Sequence, residues 1–145
     1  MANMETPLDH VGWDLWRAAQ AWKRLFSEAM VARGYAWFGE GRGNLVHLIG
    51  PSGCKQSALV TRSQLSKQAV QQFLDELERD GIIRREPDPA DARGKIIRFT
   101  ELGHTALREA DAAKRAIEAD IATALGASAL AHLKSDLDKI AKLGK

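Results

Sequence analysis

The sequence predicts a mainly α-helical single domain carrying one small β-hairpin, and three observations lead there. Apolar residues recur at helical spacing near both ends of the chain. A short apolar helix, a polar turn and a longer amphipathic helix fill the centre. Two β-forming segments then flank a tip rich in Pro and Asp. With 145 residues, 45% hydrophobic and 28% charged, the chain can bury one core but not two. The expected division of residues 1–145 is a central unit at about 44–100, with helices at about 7–32 and 101–143 that pair one subunit with another.

Each element follows from its residues. After Pro7, the series Leu8, Val11, Leu15, Ala18, Trp22, Leu25 and Ala29 marks one face of a helix from about Pro7 to Ala32. Arg33 to Gly43 holds four glycines with Tyr35, Trp37 and Phe38, so it reads as a loop or broken helix. A short helix from Asn44 to Ile49 and a Gly50-Pro51-Ser52-Gly53 turn come next. A helix from Lys55 to Arg62 precedes a polar turn in which Leu65 is expected to be buried. Ser66 offers an N-cap oxygen to a helix from Lys67 to Asp80, which turns Val70, Phe73, Leu74 and Leu77 inward before Gly81 stops it. Strands at Ile82 to Glu86 and Lys95 to Phe99 are expected around a long tip from Pro87 to Gly94. Thr100 can cap a long helix with Leu107, Ala110, Ala113, Ile117, Ile121 and Leu125 on one face. Gly126 breaks it, and a last helix starting at Ser128 carries the stripe Leu130, Leu133, Leu137 and Ile140.

The formal net charge is only +2, but it is not evenly spread. Residues 55–98 contain nine Lys/Arg and seven Asp/Glu, whereas the flanks balance at five of each before and seven of each after. All of the excess lies on the central helices and hairpin. A helix, a tight turn and a second helix with a polar outer face describe a helix-turn-helix, whose second helix enters the DNA major groove. Gln68, Gln71 and Gln72 carry amides suited to adenine, Lys67 reaches guanine or phosphate, and Ser66 with the helix N-terminus suits phosphate. Arg93 and Lys95 project from the hairpin tip, where no core contact would explain them. A polar helix face that is simply solvated is the competing explanation, and the neighbouring basic hairpin argues against it.

These residues resemble a known family. Leu59-Val60, the stretch from Ser66-Lys67-Gln68-Ala69-Val70 through Gly81-Ile82-Ile83-Arg84-Arg85, the Asp88-Pro89-Ala90-Asp91-Ala92-Arg93 tip and Phe99-Thr100-Glu101-Leu102-Gly103 are similar to the MarR family of winged helix-turn-helix regulators. The resemblance is close over roughly residues 55 to 110. It implies a winged helix with N- and C-terminal dimerisation helices, in which Arg93 enters the minor groove and an ion pair from Asp91 braces it. The chain departs from the family at Ala92, where a second basic residue is usual, and at Gly41-Arg42-Gly43-Asn44, where a Leu-Thr-x-x-Gln helix start is expected.

The expected function is sequence-specific binding of a double-stranded operator, an inverted repeat, by a homodimeric ligand-responsive repressor. The alternatives are a redox-responsive regulator acting through Cys54, a constitutive architectural DNA-binding protein, or a module that binds only proteins. An effector pocket for a small aromatic or anionic compound would draw on Trp13, Trp16, Tyr35, Trp37 and His47, although core or dimer packing is the simpler explanation for most such aromatics. The four His residues are scattered and Cys54 is the only cysteine, so neither a metal nor a cofactor is expected. No nucleophile with its base and no carboxylate pair can be assembled, so an enzyme is not expected. The N-terminus lacks a leader pattern and no apolar run approaches a membrane span, which favours a cytoplasmic protein.

Overall fold

A computed structural model describes residues 6–145. The first five residues, on which part of the expectation about a leader rests, lie outside the described residues. The chain runs α1 (Val11–Ala32), a single 3-10 turn (Ala36–Gly39), α2 (Gly41–Ile49), β1 (Cys54–Lys55), α3 (Gln56–Ser63), α4 (Lys67–Arg79), β2 (Ile83–Asp88), β3 (Asp91–Phe99), α5 (Glu101–Leu125) and α6 (Ala127–Ala141). The mainly helical winged fold expected from the sequence is therefore present. Among the described residues, no helix is long and apolar enough to cross a membrane.

Local chemistry sets most boundaries. The Ser66 hydroxyl accepts the Ala69 N–H at 3.0 Å and that of Thr100 accepts Gly103 N–H at 3.0 Å, so α4 and α5 start where their caps stand. Gly81 follows the end of α4 at φ +75°, a left-handed value that costs glycine nothing. The first helix begins at Val11 rather than Pro7, because the His10 ring nitrogen caps it by accepting the Trp13 N–H at 3.3 Å.

Three expectations need correction. The glycine-rich segment is not a loop through Gly43: after the 3-10 turn, α2 already starts at Gly41. Gly43 is there for proximity, since a Cβ on it would lie 2.3 Å from the Phe38 carbonyl oxygen. The hairpin tip is short, with both strands extending to Asp88 and Asp91 around Pro89 and Ala90. A further two-residue strand, β1, pairs Cys54 with Ile97 and Lys55 with Ile96, giving an antiparallel sheet ordered β1-β3-β2.

One core joins these parts. Phe26 and Met30 of α1, Leu45, Val46 and Ile49 of α2, Leu59 of α3, and Val70, Leu74 and Leu77 of α4 are buried with Ile83, Ile97 and Phe99 of the sheet. The α5 contribution is the small-residue face Ala106, Ala110 and Ala113, which lets that helix lie close to the core. No residue of α6 is buried, and Leu133, Leu137 and Ile140 are each about 40% exposed.

Candidate nucleic-acid interface

The turn between α3 and α4 is closed by polar groups. Ser63 donates its hydroxyl to the Val60 carbonyl at 3.1 Å and accepts the Leu65 N–H at 3.2 Å, while Gln64 takes the left-handed conformation at φ 56°. Those bonds make the turn without an apolar anchor. Leu65, expected to be buried, is therefore exposed. On α4, Val70, Leu74 and Leu77 face the core, so Lys67, Gln68, Gln71 and Gln72 are left on the exposed side.

The wing stands beside that helix. Asp88, with a side chain only 4% exposed, turns the tip by accepting the Ala90 N–H at 2.9 Å, and Lys55 of β1 approaches its carboxylate at 3.5 Å. Asp91 accepts the backbone N–H of Arg93 at 3.0 Å. The expected ion pair from Asp91 to the Arg93 guanidinium is absent among the described residues: the carboxylate shapes the backbone and leaves the guanidinium unclaimed. A groove of about 710 Å³ opens between α3, α4 and the wing, and Lys67, Gln71, Asp91, Arg93 and Lys95 all line it. Ser66 caps the helix at one side, while Gln68 and Gln72 lie on the exposed helix surface outside the groove lining.

The electrostatics of the groove follow from which charges are already paired. Arg85 of β2, only 15% exposed, contacts both Asp75 and Glu78 of α4. Hydrogen bonds from Arg85 hold the carboxyls of Asp75 and Glu78 below their ordinary range. Glu86 is held down likewise by Arg84 and Arg98. Glu78, Arg85 and the Lys55–Asp88 pair thus carry little net charge into the groove. Lys67, Arg93 and Lys95 make no ion pair among the described residues, so the net field of the groove is positive where those three converge. Sequence reasoning missed Lys55, Gln56 and Arg85. Only the pairing of β1 with β3 brings the first two to the groove, and a two-residue strand leaves no periodic signal.

Residues 44–94 match the sequence model of the MarR family. That stretch resembles the winged helix of the MarR family. Solved structures extend the likeness of fold to the terminal helices. Wild-type apo MarR from E. coli superposes with a TM-score of 0.74 at 20% identity, covering 93% of this chain and 98% of that one. RV1404 from Mycobacterium tuberculosis gives 0.81 at 17% identity and 99% of both chains. CouR from Rhodococcus jostii RHA1, bound to p-coumaroyl-CoA, gives 0.67 at 21% identity, covering 94% and 95%. No curated protein matches the sequence.

The expected effector residues do not meet in one pocket of this MarR-type fold. Trp13 and Trp16 stack on each other at 4.9 Å and stand about half exposed near the start of α1. Tyr35 and Trp37 pack around Phe38, the latter at 4.2 Å, and the His47 ring lies against the same Phe38 at 5.9 Å. His47 lines a cleft of about 440 Å³ together with Trp22, Lys23, Arg24, Phe26 and Phe38. Burial, and then the Lys114 charge, hold the His47 pKa below its usual value, with Asp111 opposing them. Cys54 sits on β1, where burial pushes its thiol up and Arg62 pulls it down by the smaller amount. Among the described residues no three His, Cys, Asp or Glu side chains come together as a metal site.

Proposed function

We propose that the chain is a sequence-specific DNA-binding transcriptional regulator that acts as a homodimer on an inverted repeat. The observation that carries this reading is the convergence of Lys67, Arg93 and Lys95, none of them ion-paired among the described residues, on the groove between α4 and the wing. In it, α4 enters the major groove with Ser66 and Lys67 at the phosphates and Gln68, Gln71 and Gln72 at base edges, while Arg93 and Lys95 of the wing meet the backbone and minor groove. The uncovered stripe of α6 supplies the reason for a second copy.

Selection of bound duplexes from a random pool, followed by footprinting, tests this. Discrete half-sites about 34 to 36 Å apart are expected, as two-fold symmetry requires. Sequence-independent coating would instead identify an architectural protein. Arg93→Ala should weaken binding to all sequences and lower the salt slope by about one per subunit.

Ligand-responsive repression is the finer part of the proposal. The cleft beside His47 offers the rings of Trp22, Phe26 and Phe38 with the cations Lys23 and Arg24, a setting for an aromatic anion. That the CouR structure holds p-coumaroyl-CoA favours an effector of this kind. The raised thiol of Cys54 weighs against redox control, because the thiolate is the reactive form.

A further inference from the structure

The polar side chains of the groove form a hydrogen-bond chain that runs in one direction. Arg85 can only donate, and an ionised carboxylate such as Asp75 can only accept. The same Asp75 oxygen takes a bond from the Arg85 guanidinium and one from Gln71 Nε2 at 3.1 Å. The Gln71 nitrogen must therefore face Asp75. Its Oε1 then accepts from Gln56 Nε2 at 2.7 Å, across from α4 to the first residue of α3. This order leaves Gln56 with its own oxygen buried and without a hydrogen-bond partner among the described residues. A buried orphan carbonyl is unfavourable, and an apolar side chain of similar length would avoid it. Gln56 is thus poorly explained by stability. Its donor is well explained by what it does to Gln71.

We propose that Gln56 is a specificity-determining positioning residue: together with the Asp75–Arg85 pair it locks the Gln71 amide in one of its two flip states. This rests on the reading of α4 as the recognition helix. An amide nitrogen has two protons and its oxygen two lone pairs, so the chain consumes one of each and leaves one donor and one acceptor free. An unrestrained amide can present that donor and acceptor in either order. Adenine in the major groove offers an acceptor at N7 beside a donor at N6, and only one order fits it. The pairing of Lys55 with Ile96 anchors Gln56 to the sheet, and Arg85 anchors Asp75 to it as well, so both ends of the lock are tied to the wing.

The test measures dissociation constants of the intact protein for its selected duplex, for every single base-pair variant of that duplex and for an unrelated duplex. Gln56→Met should keep the affinity for unrelated DNA within about twofold, yet lose roughly fivefold or more of the preference at one base pair in each half-site. Gln71→Ala should lose the preference at that same pair, and the double variant should behave as Gln71→Ala alone. Gln56→Lys, still a donor, should retain the preference, whereas Gln56→Glu, an acceptor, should not. The melting temperature of Gln56→Met should not fall, since the orphan oxygen is gone. An unchanged preference in Gln56→Met, or losses from Gln56→Met and Gln71→Ala that simply add, overturns the proposal while leaving DNA reading by α4 intact. A wild-type protein with no base preference anywhere overturns both.

Discussion

Two amphipathic helices of this chain, α4 and α6, have similar sequence patterns and opposite fates. The 13 residues of α4 bury Val70, Leu74 and Leu77 against the domain's own core. The 15 residues of α6 bury none, although Leu130, Leu133, Leu137 and Ile140 fall on a stripe just as regular. A helical period therefore says that a face wants covering, and not whether the cover lies in the same chain. For α4 the cover is the sheet, α2 and α3. For α6 the described residues supply only α5 beside it, and the proposed second copy is the cover that symmetry would make available.

The largest effect should follow from breaking the inner face. Leu74→Asp would place an unpaired carboxylate in the core, costing about 4 kcal/mol or more out of a total stability of about 5–15 kcal/mol. Loss of the cooperative thermal transition is the expected result. Leu137→Asp tests the outer face, where the chain should stay helical by circular dichroism while sedimentation shifts from two chain masses to one. Each subunit would forfeit about 1 kcal/mol of apolar burial and gain a carboxylate to desolvate, together weakening the dimer by at least about a hundredfold. Operator binding should fail with it. Tight binding by a monomer would separate dimerisation from recognition.

Smaller effects sharpen the comparison at the buried side. Gly43→Ala forces a methyl against the Phe38 carbonyl, backbone that cannot swing aside, so a loss of about 1–3 kcal/mol should appear as a lower denaturant midpoint with unchanged slope. The smallest concerns His47. Because its folded pKa is depressed, the stability it contributes is present above the unfolded value and lost as pH falls through about 6.5 toward the folded value. An NMR titration should place its midpoint below 6.5, and Lys114→Ala should raise that midpoint. A midpoint at or above 6.5 would show that the ring is neither desolvated nor crowded by the lysine.

What the sequence revealed and what it hid divide along physical lines. The caps Ser66 and Thr100, the stops Gly81 and Gly126, and the inward stripe of α4 were readable because neighbours within a few residues determine them. The strand β1 was not, since its two residues are extended only because β3 lies beside them. The wing was read too short in strand and too long in tip, because Pro87 to Gly94 has turn composition and the Asp88 contacts that let pairing continue are tertiary. In the candidate site, the polar face of α4 and the basic wing could be listed from the sequence, and their convergence on one groove was implied by the winged fold. Which amides are already engaged could not be listed, because Gln71 meets Gln56 across 15 positions of chain. Likewise, that Tyr35, Trp37 and His47 all gather around the Phe38 ring follows from the packing of α2 on the 3-10 turn and could not be read from spacing.

The long helix α5 has a mechanical consequence. Its first turn is fastened by Thr100, whose hydroxyl donates to the Gly81 and Ile82 carbonyls at the point where α4 hands over to the sheet. Its far end meets α6 through a single non-helical residue, Gly126. Twenty-five residues at about 1.5 Å each make a rod about 37 Å long. If such a rod tilts by about 5°, one end travels about 3 Å relative to the other, close to the rise of about 3.4 Å between successive base pairs. α5 is thus one continuous rod between the point where α4 meets the sheet and the Gly126 joint to α6, and its buried face of Ala106, Ala110, Ala113 and Ile117 sets how far either end can swing without repacking the core.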